Sequence, residues 1–186
     1  MLTHAHLDHA GGLRDGASCP VYATGETWRG LGRCPIHARE EVRPREPFGL
    51  GAIRFEAFPV EHSLRAPAVG YRIEAGRVAL FYVPDVVAIV DESEALADLD
   101  LYIGDGAAIT RSIVRRRDGT PIGHASVRQQ LDWCAEAAVP RAVFTHCGSE
   151  IVKGDARAVS ERVATLGRER GLRAAIAHDG LALELR

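Results

Sequence analysis

Four side chains able to bind a metal fall within six residues near the start of this chain, in Thr3-His4-Ala5-His6-Leu7-Asp8-His9-Ala10-Gly11-Gly12. No other stretch constrains the fold as strongly. If residues 2 to 4 end a strand and a tight turn leads into a helix beginning near His9, then His4, His6, Asp8 and His9 converge outside the carboxyl end of that strand. Such geometry suits two cations rather than one, His4 and His6 facing the first and Asp8 and His9 the second. Imidazole and carboxylate together favour zinc, manganese or iron over calcium. The competing explanation is chance clustering or helix capping, and three histidines and an aspartate beside a Gly-Gly turn weigh against it.

Downstream, the chain repeats one grammar in which a strand is followed by a candidate ligand. Residues 52 to 60 alternate apolar and polar and deliver Glu61-His62-Ser63; residues 78 to 83 deliver Pro84-Asp85; residues 141 to 145 end at His146. Further strands are expected at 19–24, 68–74, 99–103, 173–178 and 181–185. Helices are expected at 25–31, 92–99 and 156–170. Ser126-x-x-Gln129 forms a capping box for another helix, with Val127, Leu131, Cys134 and Ala138 on its apolar face. Residues 32–50, which include His37, and residues 111–119 read as surface loops. Alternating strands and helices without repeats predict an α/β layered architecture, with residues 1–186 as one domain.

The opening stretch matches the HxHxDH motif of the metallo-β-lactamase-fold hydrolases. The resemblance implies an αββα sandwich and assigns His4, His6 and His62 to one metal, Asp8, His9 and His146 to the other, and Asp85 to a bridge between them. A bridging carboxylate would hold two cations roughly 3.5–4 Å apart, and two cations sharing a water lower its pKa toward neutrality, so hydrolysis by hydroxide is the implied chemistry. Pro59-Val-Glu-His62-Ser-Leu-Arg-Ala-Pro-Ala-Val-Gly70-Tyr71-Arg72-Ile73 resembles the third motif of ribonuclease Z and the related cyclic phosphodiesterases. A glyoxalase-like member would carry a Pro-Gly-His-Thr turn there instead. Gly123-His124-Ala-Ser126 is similar to the same branch and implies that His124 is a general acid, or a phosphate donor when protonated; Asp8 is the other candidate catalytic residue. His178-Asp179-Gly180 resembles a turn near the metals in such hydrolases, although Asp-Gly is also an ordinary turn. Family members carry strands before the first motif, so the resemblance predicts a truncated amino terminus, a late start codon, or a partner chain completing the sheet.

A net charge of −2 over 186 residues excludes binding of polyanions by bulk charge. A small anionic substrate is the expected partner. Nucleic acid is less favoured, since the long helical arm with which ribonuclease Z holds transfer RNA is missing, and a homodimer is left open. Hydrolysis of a thioester or lactone, or a non-catalytic metal-binding role, are the alternatives to phosphodiester cleavage. Arg111, Arg115, Arg116 and Arg117 read first as solvated charge, with an anion clamp as the alternative. Cys19, Cys34, Cys134 and Cys147 form no CxxC pair, and with neither signal peptide nor long apolar run they fit a reducing cytoplasm and no membrane. They read as small core residues, Cys147 being of interest because it follows His146.

Overall fold

The computed structural model describes residues 1–185. Its strands in chain order are β1 (Val21–Thr24), β2 (Arg39–Val42), β3 (Phe48–Leu50), β4 (Ile53–Glu61), β5 (Ala68–Ala75), β6 (Val78–Tyr82), β7 (Ala88–Ile89), β8 (Leu101–Asp105), β9 (Ile113–Arg117), β10 (Thr120–His124), β11 (Arg141–Thr145) and β12 (Arg173–Ile176). The helices are α1 (Leu7–Ala10), α2 (Gly25–Leu31), α3 (Glu92–Ala95), α4 (Val127–Glu136), α5 (Ser149–Val152) and α6 (Ala156–Arg168).

One mixed sheet, ordered β12-β11-β8-β6-β5-β4-β3 with β7 paired to β4, organises the molecule. β4 is antiparallel to β5 and β5 to β6, so β4 runs in the direction of β6; β8, β11 and β12 then add in parallel. Consequently the carboxyl ends of β4, β6, β8 and β11 lie along one edge, where open α/β sheets place their ligands.

The period-2 alternation of β4 and β5 explains how both faces are covered. Phe58, Val60 and Ala68 face a core shared with Phe81, Tyr102, Phe144, Leu131 and Val163, under α4 and α6. Ala57, Val69 and Tyr71 point the other way, into a second core with Val42, Tyr22 and Phe48, under the small parallel β1–β2 pair. Ser126 caps α4 as its motif predicts, its hydroxyl accepting from the Gln129 amide. The reciprocal half of the capping box is missing: Ser112 Oγ takes the Ser126 amide and donates to Gln129 Oε1. Val127, Leu131 and Cys134 are buried, whereas Ala138 lies past the helix in a left-handed turn and is exposed.

Five expectations fail. Residues 32–50 are not loop throughout, because β2 finds a parallel partner in β1 and β3 pairs with β4. Residues 111–119 are mostly strand: β9 and β10 form a hairpin around Asp118-Gly119, both at positive φ, as a two-residue hairpin turn requires. The helix expected at 92–99 stops at Ala95, and 181–185 is not a strand because no neighbour pairs with it. Residues 2–4 are likewise not a regular strand. They are stitched between sheets by single bonds: the Leu2 amide donates to Tyr22 O, the Val69 amide to Thr3 O, and the Tyr71 hydroxyl to Leu2 O. No helix among the described residues is long and apolar enough to cross a membrane.

Candidate metal centre

Six of the eight histidines gather at the carboxyl edge of the sheet with Asp8, Asp85 and Asp105. His62 follows β4, Asp85 lies three residues past β6, Asp105 ends β8 and His146 follows β11, while His4, His6, Asp8 and His9 arrive on the stitched segment and α1. His37 and His178 stay outside the cluster. Cys147 packs its half-buried side chain against the main core, where burial pushes its thiol pKa up, so it reads as a packing residue.

The histidine rings are oriented by what their remote nitrogens hold. His62 Nδ1–H donates to Gly123 O at 2.9 Å, which commits its Nε2 to the centre. His4 Nδ1 meets the Thr3 hydroxyl at 3.1 Å, and its Nε2 approaches His6 Nδ1 at 2.9 Å; His62 Nε2 is 3.3 Å from the same His6 atom. His146 turns Nε2 toward Asp8 (3.3 Å) and Asp85 (3.6 Å), and Nδ1 toward Asp105 (3.7 Å). It does so from a left-handed backbone conformation, φ 50°, a strain of the kind that tertiary contacts must hold at working sites. Here the Gly106 amide donates to Thr145 O and the Gly148 amide to Gly106 O, latching the ends of β8 and β11 together.

Donor atoms within 4.8 Å of one another define the groups His4, His6, His62 and Asp8, His9, His146, and Asp85 joins His4 and His9 between them. The residues fit a pair of cations on a direct observation. Among the described residues, the buried side-chain atoms without a hydrogen-bond partner are His9 Nε2, Asp85 Oδ2 and His146 Nδ1, all in this cluster. His9 Nε2 and Asp85 Oδ2 lie only 2.8 Å apart yet are not aligned as donor and acceptor. Two lone pairs turned toward a common point suit a cation better than they suit each other, and leaving them orphaned would be costly.

Electrostatics agree. Burial alone would push the Asp85 carboxyl up, but His9, His146, His62 and His4 around it outweigh burial and hold it well below the carboxylate range. Burial lowers the His4 pKa to about 3, Asp85 only partly opposing it, so this ring is neutral and free to donate its lone pair. The Asp105 carboxylate raises His146 to about 9, against burial, with help from Asp85 and Asp8. Divalent cations and protons would compete for that same negative field.

Asp105 is the site residue that the strand-then-ligand pattern should have revealed. It is fully buried, and its Oδ2 accepts from His124 Nδ1–H at 2.8 Å and from the Val86 amide at 3.1 Å. Gln130 bridges from α4, accepting the Asp105 amide and donating to Asp105 O. His124 is thereby fixed from one side; from the other, the Gly123 amide donates to His62 O and the Ala125 amide to Val86 O. Burial lowers the His124 pKa, but the Asp105 bond and charge, with Asp85, raise it on balance. Asp85, Asp105, His124 and His146 also form a compact donor group.

Gly123 makes this close approach achievable. It sits at φ 121°, and a Cβ there would fall 1.9 Å from Ile113 O. Gly123→Ala is therefore expected to lower stability by about 2–4 kcal/mol, read from urea midpoints, and to loosen both His62 and His124.

A family model described as the beta-lactamase superfamily domain matches residues 1–147. No curated protein matches the chain in sequence. The metallo-beta-lactamase fold protein YhfI from Bacillus subtilis superposes with a TM-score of 0.73 at 16% identity, over 96% of this chain and 73% of that one. A diphosphatase from the PhnP family gives 0.65 at 22% identity, over 99% and 70%, and human tRNase Z, short form, gives 0.61 at 15%, over 100% and 78%.

Proposed function

The chain belongs to the beta-lactamase superfamily, and from that premise we propose that it is a dinuclear metal-dependent hydrolase cleaving a small phosphodiester. The observation that carries this is the pair of three-residue donor groups joined through Asp85, with His124 held beside them by a buried carboxylate. His4, His6 and His62 would hold one cation and Asp8, His9 and His146 the other, with Asp85 serving both. Zinc suits this nitrogen-rich donor set best, with manganese and iron as alternatives. Bound there, two cations would supply a water-derived nucleophile at neutral pH and offset charge on the phosphoryl oxygens.

The protein's own groups do the rest. Water, having released one proton to solvent, adds through its oxygen to phosphorus, the P–O bond to the leaving group breaks, and the departing oxygen takes a proton from the remaining ring N–H of His124. Asp105 sustains the protonated ring that this step requires, by accepting the other N–H. Burial pushes the Asp8 carboxyl up, but the His146 bond, its own backbone amide and His9 together bring it down on balance, so Asp8 stays an anionic donor. Phosphodiester substrates are favoured over thioesters and lactones because His124 and nearby arginines line the adjoining cavity. The names of two structural neighbours, a diphosphatase and a tRNase Z, agree with that choice.

Metal analysis of purified protein is expected to give about two divalent ions per chain, with bis(4-nitrophenyl) phosphate turned over well above a thioester or a lactone. Fully loaded protein that prefers the thioester or lactone would overturn the phosphodiester assignment. Fewer than about one metal per folded chain would overturn the two-metal site itself.

A further inference from the structure

Beside the donor groups lies a cavity of about 350 Å³ whose lining includes His6, His62 and His124 together with Arg65, Arg115 and Arg117. Its size is that of a site for a small organic ligand, at the lower end of the roughly 300–1,000 Å³ such sites occupy. The lining contains no aspartate or glutamate.

The hairpin explains why these arginines and not their neighbours face inward. Successive side chains of β9 alternate, so Arg115 and Arg117 share one face, paired in register with Ile122 and Thr120, while Arg116 turns away and donates to Gly119 O across the turn. Arg111, outside the strand, is not part of the wall. Arg65 comes from a separate segment, the β4–β5 connection that also carries His62.

Several arginines elsewhere in the chain are held by carboxylates. Arg45 is held by Glu56, Asp91 and Glu94, Arg54 and Arg72 share Glu74, Arg162 meets Glu150, and Arg170 meets Asp132. Among the described residues, Arg65, Arg115 and Arg117 have neither a carboxylate partner nor a side-chain hydrogen bond. Three guanidinium groups from two segments line one cavity beside the candidate metal centre, where an anion would offset their charge. A planar fork of donors suits phosphate oxygens in particular.

We infer that this cavity binds a second, non-scissile anionic group of the substrate, so that the natural substrate is a small phosphodiester carrying an additional phosphate. The inference rests on the phosphodiesterase assignment for the identity of the scissile bond, but the binding of the second phosphate stands on the arginine wall alone. The short β9–β10 hairpin is then a specificity element: it carries both the arginines that select the substrate and His124, which serves the bond to be broken.

Two anions differing by one phosphate test it. Adenosine 3′,5′-bisphosphate should bind metal-loaded protein on the order of tenfold more tightly than AMP by calorimetry. In Arg115→Gln/Arg117→Gln, and more weakly in Arg65→Gln, that ratio should fall toward one, while Arg116→Gln on the opposite face of β9 should keep it. Equal affinities in the unmodified protein, or a ratio that survives the double substitution, would overturn the inference. A single-stranded oligonucleotide binding more tightly than the bisphosphate would overturn the assignment to a small substrate. Failure of the phosphodiesterase assignment looks different: the bisphosphate preference would persist and respond to the arginine variants while bis(4-nitrophenyl) phosphate is not turned over.

Discussion

Asp85→Ala is expected to reduce bound metal from about two ions to below one per chain and to lower phosphodiester turnover by on the order of 10³-fold or more. The size of the effect follows from position. Asp85 is 3% exposed, belongs to two donor groups, and faces His9, His62, His124 and His146 within 3.6 Å. Removing it takes away the negative charge that offsets two cations in a buried setting, so both should leave rather than one. Asp85→Asn sharpens the result, since it keeps the shape and one oxygen but not the charge. If the asparagine variant binds two metals as tightly as the parent, the bridge is not Asp85. Metal content by mass spectrometry and turnover of bis(4-nitrophenyl) phosphate, measured on the same samples, read both quantities.

The clustered His and Asp side chains were legible because they stand at strand ends, and strand ends are marked in sequence by the switch from alternating apolar residues to His or Asp. His62 and His146 follow that switch directly in the structure. Asp105 obeys the same rule but was hidden, because its strand was expected to end at Ile103 and Gly104-Asp105-Gly106 looks like a turn. It is the terminal residue of β8, and packing decides the matter: Gly104 leaves room for Tyr102 and Gln130, whose atoms would lie 2.2 and 2.4 Å from a Cβ. The β9 strand was hidden for a different reason. Ile-Val-Arg-Arg-Arg is exposed on both faces, so it carries no alternation, and only Asp118-Gly119 announced a hairpin. The strands within 32–50 are short edge or paired segments whose partners lie elsewhere in the chain, information that local periodicity does not contain.

Two of these omissions belong to one structural unit. Asp105 and the β9–β10 hairpin together immobilise His124, and without them a histidine preceding a capped helix is an ordinary feature. Sequence could nominate His124 only through resemblance; the structure adds a buried carboxylate on one ring nitrogen and backbone bonds from Gly123 and Ala125 on either side. The Val86 and Ala107 amides donate to that carboxylate, and Gln130 holds the Asp105 backbone through its amide and carbonyl, so the ring is positioned through two layers of buried polar contacts.

His124→Ala should therefore separate chemistry from metal binding. Turnover of a dinucleotide, whose leaving alkoxide is strongly basic, is expected to fall by about 10²–10³-fold, the usual contribution of a positioned general acid. Bis(4-nitrophenyl) phosphate should lose much less, because nitrophenolate departs without a proton. Metal content should stay at the parental value, and the loss should lie in kcat rather than KM. Asp105→Asn should reproduce the leaving-group dependence in weaker form, since an amide holds the ring but does not sustain its charge. The opposing outcome is equally definite. His124 shares a donor group with Asp85, Asp105 and His146, so if His124→Ala protein loses a metal ion and slows on both substrates alike, the ring is a ligand and the proton on the leaving oxygen must come from elsewhere.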